Sequence, residues 1–230
     1  LRTGFDDIEI ESVDRLQDDW FVGVKTLERS EKVLSQIGAA YREYSLDING
    51  RKTSVTRIIQ HFEEGWKTEL AGFLSHKPGE LKGARLREFL SLTLRLQLEY
   101  EKQAVTNYAL SVLEDQSFVK SDVEALESFL LKAAISSPGS MSRIAEMILY
   151  LDYDTKAVSK HRIASRFAEL ALRALENGNS YEAIWLIYTL RGLKCIIVDK
   201  QLVDMITSCN SSVLALMLLD MKDRGLVRCA

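Results

Sequence analysis

The sequence predicts a mainly helical protein with a short β-hairpin region ahead of the helices, and three observations predict it. Only two prolines, Pro78 and Pro138, interrupt 230 residues, whereas an average usage of about 5% would supply roughly eleven or twelve. Turn punctuation is therefore sparse and long helices have room. Strand-like β-branched and aromatic runs are concentrated ahead of Val55. Beyond it, apolar residues recur at three- and four-residue spacing almost to the end.

The first region reads as hairpin, helix and short strand. Ile8, Ile10 and the run Trp20-Phe21-Val22-Gly23-Val24 flank a polar stretch from Glu11 to Asp19, which predicts two strands with acids at their bend. Thr26 offers an N-cap, and Val33, Leu34, Ile37, Tyr41 and Tyr44 then form the apolar stripe of a helix over about 27–44. Leu46-Asp47-Ile48-Asn49-Gly50 follows as a short strand ending on an Asn-Gly turn signal.

The helical region opens with Ile58, Ile59, Phe62, Trp66, Leu70, Phe73 and Leu74 on one stripe, closed by His76-Lys77-Pro78-Gly79. From Leu81 to Leu113 the periodicity continues with no proline and no glycine after Gly83, giving one long helix or two with a bend. Further on, helix starts recur at Ser121-Asp122-Val123-Glu124, a capping-box pattern, at Ser159-Lys160-His161 and at Lys200-Gln201-Leu202. Each start leads into a helix, a short loop (Ser137-Pro138-Gly139, Asn177-Gly178-Asn179, Ser208-Cys209-Asn210) and a second helix. Helical pairs at a period of about 40 residues are the pattern of a HEAT-like repeat; an irregular helical bundle is the alternative.

Several classes are excluded. Hydrophobic residues make up 47% and charged residues 27% of the chain, against disorder or low complexity. Thirty basic against 33 acidic residues give a net charge of −3, which marks neither a nucleic-acid nor a membrane partner at the level of the whole chain. Cys195, Cys209 and Cys229 form no disulfide framework, which predicts a reducing, cytoplasmic setting. His61, His76 and His161 are far apart and lack zinc-site companions, and no P-loop or Gly-x-Ser-x-Gly elbow occurs. The start at Leu1 rather than Met predicts a chain cut from something longer.

Asp18-Asp19 is the constellation that bears on chemistry. Adjacent acids in a strand point to opposite faces, but at a hairpin bend their carboxylates converge. Two close carboxylates stay ionised cheaply only beside a cation, and a hard divalent ion such as Mg2+ is the physical match. A surface turn is the alternative, as Asp6-Asp7 illustrates. Context adds specificity: Arg15-Leu16-Gln17-Asp18-Asp19-Trp20-Phe21-Val22-Gly23-Val24 is followed, about 30 residues on, by Leu46-Asp47-Ile48-Asn49-Gly50-Arg51-Lys52-Thr53.

That ordered pair resembles the palm of reverse transcriptases, with its x-x-Asp-Asp hairpin followed by a Leu-x-Leu-Asn-x-x-Lys-Thr motif. Leu16 stands where the family usually has Tyr. The resemblance covers about residues 8–56. It implies Asp18 and Asp19 as catalytic metal ligands for Mg2+, Asp18 the more direct, and Lys52 near the incoming nucleotide's phosphates, where an ammonium neutralises developing charge or supplies a proton. It further implies two-metal nucleotidyl transfer from dNTPs, RNA as template or non-coding partner, DNA as product, and an N-terminal half of the same polymerase that supplies the preceding acid.

On this reading residues 1–56 are the end of the palm, 57–80 a connecting helix and 81–230 the α-helical repeat domain. A helical array in the thumb's place is similar to the abortive-infection class of bacterial defence reverse transcriptases, which implies a homo-oligomer and an antiphage role. Two basic groups are candidates for nucleic-acid binding: Lys77, Lys82, Arg85 and Arg87 around the Pro-Gly turn, and Lys156, Lys160, Arg162 and Arg166, with 156/160 and 162/166 at i,i+4 spacing. Trp66 and Trp185 are base-stacking candidates that read better as core, and Tyr100, Tyr108, Tyr150 and Tyr153 are primer hydroxyl candidates with the same reservation. The rivals are a non-catalytic helical-repeat scaffold and a retron or group II intron-like enzyme.

Overall fold

The computed structural model describes residues 10–16, 19–46, 48, 53–57, 65–76, 79–101 and 103–228. The chain separates into two compact units, Leu1–Glu64 and Gly65–Ala230. It is mainly helical with one small antiparallel sheet.

In the first unit, β1 (Ile10–Leu16) pairs antiparallel with β2 (Asp19–Val24). The polar stretch is therefore largely strand rather than bend. A two-stranded ribbon with an open face tolerates Ser12, Asp14 and Arg15, because neither needs burial. Val13 faces Val22, and Arg15 faces Trp20 with its guanidinium 5.1 Å from the indole centroid. A register shift between Ile10 and Ser12 marks a bulge at Glu11, across from Gly23, where a Cβ would sit 2.5 Å from the Ser12 hydroxyl. Helix α1 (Leu27–Glu43) starts as predicted: the Thr26 side chain accepts from the Arg29 N–H at 3.3 Å. Leu46 and Ile48 carry no strand, and Asp47, Asn49 and Gly50 of the predicted short strand lie outside the described residues.

The second unit contains α2 (Gly65–His76), α3 (Gly83–Glu99), α4 (Val105–Glu114) and α5 (Lys120–Ser136). It continues through a 3-10 turn (Pro138–Ser140), α6 (Met141–Thr155), α7 (Lys160–Glu176) and α8 (Ser180–Gly192), and ends with α9 (Lys200–Ser208) and α10 (Ser212–Asp223). Residues 81–113 form two helices. Buried Gln97 closes the corner between them, its side-chain carbonyl accepting from the Thr106 N–H (3.0 Å) and hydroxyl (2.8 Å). The capping box at Ser121 does not form. Helix α5 begins two residues earlier, with Val119 as an N-cap that offers no side-chain bond, and buried Asp122 instead accepts from the Gly83 N–H at 3.0 Å, capping α3 from a distance.

Helices α3/α4, α5/α6, α7/α8 and α9/α10 pack as sequential pairs, and α4, α6, α8 and α10 stack one on the next. One core runs the length of this unit, from Trp66, Phe89 and Leu110 through Phe129, Ile148 and Phe167 to Leu202 and Met221. Where α8 crosses α6, Gly192 leaves room for the Leu149 side chain, since a Cβ there would lie 2.5 Å from a Leu149 methyl. Among the described residues no helix is long and apolar enough to cross a membrane.

Candidate functional site

The hairpin is built from its register. Leu16, the last residue of β1, pairs with Asp19, the first of β2. Gln17 and Asp18 lie outside the described residues, as do the side chains of Leu16 and Asp19 and the whole of Lys52, so the expected carboxylate and lysine geometry falls there. Asp19 itself is placed by its backbone at the start of β2, beside the solvent-exposed aromatics Trp20 and Phe21. Thr53, the last residue of the second motif, is half-buried. Among the described residues no group of three or more His, Cys, Asp or Glu is arranged to hold a metal.

Of the first basic group, Lys77 is outside the described residues. Lys82 pairs with Glu80. Arg85 donates to the Gly79 carbonyl and, at 3.3 Å, to the Glu80 carbonyl, while its guanidinium carbon lies 6.0 Å from the Phe73 ring centroid. These contacts pin the turn ahead of α3. Arg87 is exposed on α3.

Of the two i,i+4 pairs in the second group, only 162/166 lies within one helix. Lys156 and Lys160 do not share a helix: Lys156 closes α6 in the left-handed conformation (φ 55°), and α7 starts at Lys160. Helix α6 ends there, and Ser159 is the N-cap of α7. Lys156 sits 4.8 Å from the exposed Tyr153 ring. Lys160 bridges α6 and α8, with Asp152 at 3.0 Å and the Leu193 carbonyl at 3.3 Å. Arg162 and Arg166 do share α7. Arg162 pairs with Glu127, a carboxylate only 3% exposed that also accepts from the Ser159 N–H at 2.5 Å. Arg166 reaches Glu169 at 3.1 Å. Most of these cations therefore hold intramolecular partners.

Trp66 is buried edge-on to Tyr108 (5.7 Å between centroids), and Trp185 packs on Tyr188 at 5.5 Å, so both belong to the packing of the unit. Tyr150 and Tyr153 are exposed on α6, whereas Tyr100 and Tyr108 pack against the core.

Sequence reading missed the network joining α8 to α10. Arg191 Nε donates to Asp220 at 2.5 Å, and Arg224 Nε donates to the other oxygen at 3.0 Å. The Arg191 hydrogen bond holds the Asp220 carboxyl below the usual range, aided by Arg224, and the same bond raises the Arg191 guanidinium. The Asp220/Arg224 spacing was legible; Arg191, 29 residues away, was not. Nearby, burial pushes the Cys195 thiol up, opposed by the charge of Lys160. Comparison with family models, with curated proteins and with solved structures finds no match.

Proposed function

We propose that the chain is the C-terminal portion of an RNA-directed DNA polymerase of the bacterial defence type, cytoplasmic, making DNA from dNTPs on or alongside RNA. The observation that supports this reading is the hairpin. Two strands pair in register around Leu16-Gln17-Asp18-Asp19, with Leu16 opposite Asp19, in the order the motif requires. Adjacent carboxylates where two strands meet are a donor set that suits Mg2+. Asp18 and Asp19 would hold the ion, which supplies charge neutralisation at the transferring phosphoryl group. Lys52 serves the leaving pyrophosphate. The helices from α5 onward read as HEAT-like repeats, with α5, α7 and α9 beginning at Lys120, Lys160 and Lys200, forty residues apart.

The test is primer extension with the chain joined to or co-expressed with the polypeptide that precedes it. Asp18→Ala should lower dNTP incorporation by about two to three orders of magnitude, with Lys52→Ala falling between that variant and the unaltered protein. Incorporation that survives Asp18→Ala sinks the reading. So does incorporation by the 230-residue chain alone, because the preceding acid is then unnecessary.

A non-catalytic scaffold is the second reading, favoured by the ion pairing of Lys82, Lys160, Arg162 and Arg166 within the array. It predicts RNA or DNA affinity unchanged when Arg87 and Lys156 are replaced by Gln.

A further inference from the structure

We propose that the segment between α8 and α9 takes up an extended acidic peptide, which adds as a strand along Ile196 and Val198 with its carboxylates on Lys194, Lys200 and Arg228. The inference does not rest on the polymerase reading. Over residues 195–198 burial alternates: Cys195 and Ile197 are buried, while Ile196 (41%) and Val198 (70%) face solvent. That period of two marks a strand with one covered face, and the β-branched run suits it. Ile197 already pairs as one. It bridges Val227 in parallel, its N–H donating to the Leu226 carbonyl at 2.8 Å and its carbonyl accepting from the Arg228 N–H at 2.9 Å.

Extended backbone sends the N–H and C=O of one residue to one side and those of its two neighbours to the other. With Ile197 turned to residues 226–228, the backbone groups of Ile196 and Val198 point to the opposite edge, and they have no partner among the described residues. An incoming strand satisfies them while covering two exposed apolar side chains. The surrounding charge selects which strand. Lys194 follows the C-cap of α8 and Lys200 opens α9, one at each end of the segment, and Arg228 follows Val227 on the other side of the bridge. All three are exposed, and none pairs with a carboxylate among the described residues. Nearby Lys160 and Arg191 differ, since Asp152 and Asp220 hold them. The acid of the segment, Asp199, is also engaged: its carboxylate accepts from the Leu202 N–H at 3.3 Å. A free strand edge with an apolar pair between unpaired cations fits a peptide of alternating apolar residues with acidic flanks. A nucleic acid would meet the cations and leave the edge amides and carbonyls unmatched.

Fluorescence anisotropy of the full chain with a labelled synthetic peptide, Asp-Glu-Ile-Thr-Val-Thr-Ile-Glu-Asp, tests this. Saturable binding is expected, and it should be lost when alternate amides of the peptide are N-methylated, a change that keeps side chains and charge but removes N–H donors. Ile196→Glu and, separately, Val198→Glu should abolish binding, while Lys200→Glu or Arg228→Glu should weaken it several-fold. Each variant alters an exposed side chain, so far-UV circular dichroism and melting temperature should stay as they are. Absence of saturable binding to the unaltered chain overturns the proposal. So does binding that persists with the N-methylated peptide or in both Ile196→Glu and Val198→Glu, because the contact then does not use this edge. A single-stranded oligonucleotide that displaces the peptide and binds Val198→Glu as well as it binds the unaltered chain overturns it too, by giving the cations to phosphates.

Discussion

Among single residues, Asp220 couples stability to acid. Its carboxyl is held low by Arg191 and then by Arg224, so its contribution is complete above the unfolded carboxylate pKa of about 4 and is lost as pH falls through the lower folded value. Asp220→Asn should therefore flatten the fall of melting temperature below about pH 4 while lowering it at neutral pH; an unchanged acid limb would refute the linkage. Cys195 offers a chemical test of burial. Its thiol is pushed up and shielded, whereas Cys209 is half-buried. Iodoacetamide followed by peptide mapping should modify Cys209 well before Cys195 in the native protein and both alike in denaturant. Glu127 shows why residue-level function is hard to read from a string. Its partners Arg162 and the Ser159 N–H come from 35 and 32 residues away, so a cation that looked available for phosphate is engaged by a buried carboxylate. Arg162→Met leaves that carboxylate without its charged partner and should cost about 1–3 kcal/mol, seen as a lower denaturant midpoint.

At the scale of elements, the helix ends separate what was legible from what was not. Four helices close with the same paired bonds around a left-handed residue: Ser45 after α1, Gly178 after α7, Lys194 after α8 and Gly225 after α10. Gly178 and Gly225 announce such an ending; Ser45 and Lys194 do not, since only the tertiary position of the following chain forces them into it. Lys194→Gly should then raise stability by up to about 1 kcal/mol, measured by denaturant unfolding. The start of α1 was readable from Thr26 and that of α9 from the run at Lys200, although its N-cap, Asp199, whose side chain accepts from the Leu202 N–H, was not singled out. The start of α5 was not, because Asp122, three positions into the helix, turns its carboxylate to α3 instead of its own N-terminus. Apolar periodicity fixed the helices themselves well, but could not tell one helix from two over 81–113, since the break between Glu99 and Val105 is held by Gln97 and Thr106 side-chain bonds that leave no mark on the pattern.

At the scale of the whole molecule, the mainly helical class and the early hairpin followed directly from proline scarcity and from the position of the aromatic run. The side-chain geometry of the Asp18-Asp19 motif could not follow from it, because convergence of two carboxylates depends on dihedral angles at one turn and not on residue type. Stacking in which each helix leans chiefly on its near neighbours has a consequence for how this protein comes apart. A nearest-neighbour array has no single keystone, so opening proceeds from whichever end has the fewest supports. Amide exchange should accordingly be slower in α5 and α6, where helices are flanked on both sides, than in α2, α9 and α10.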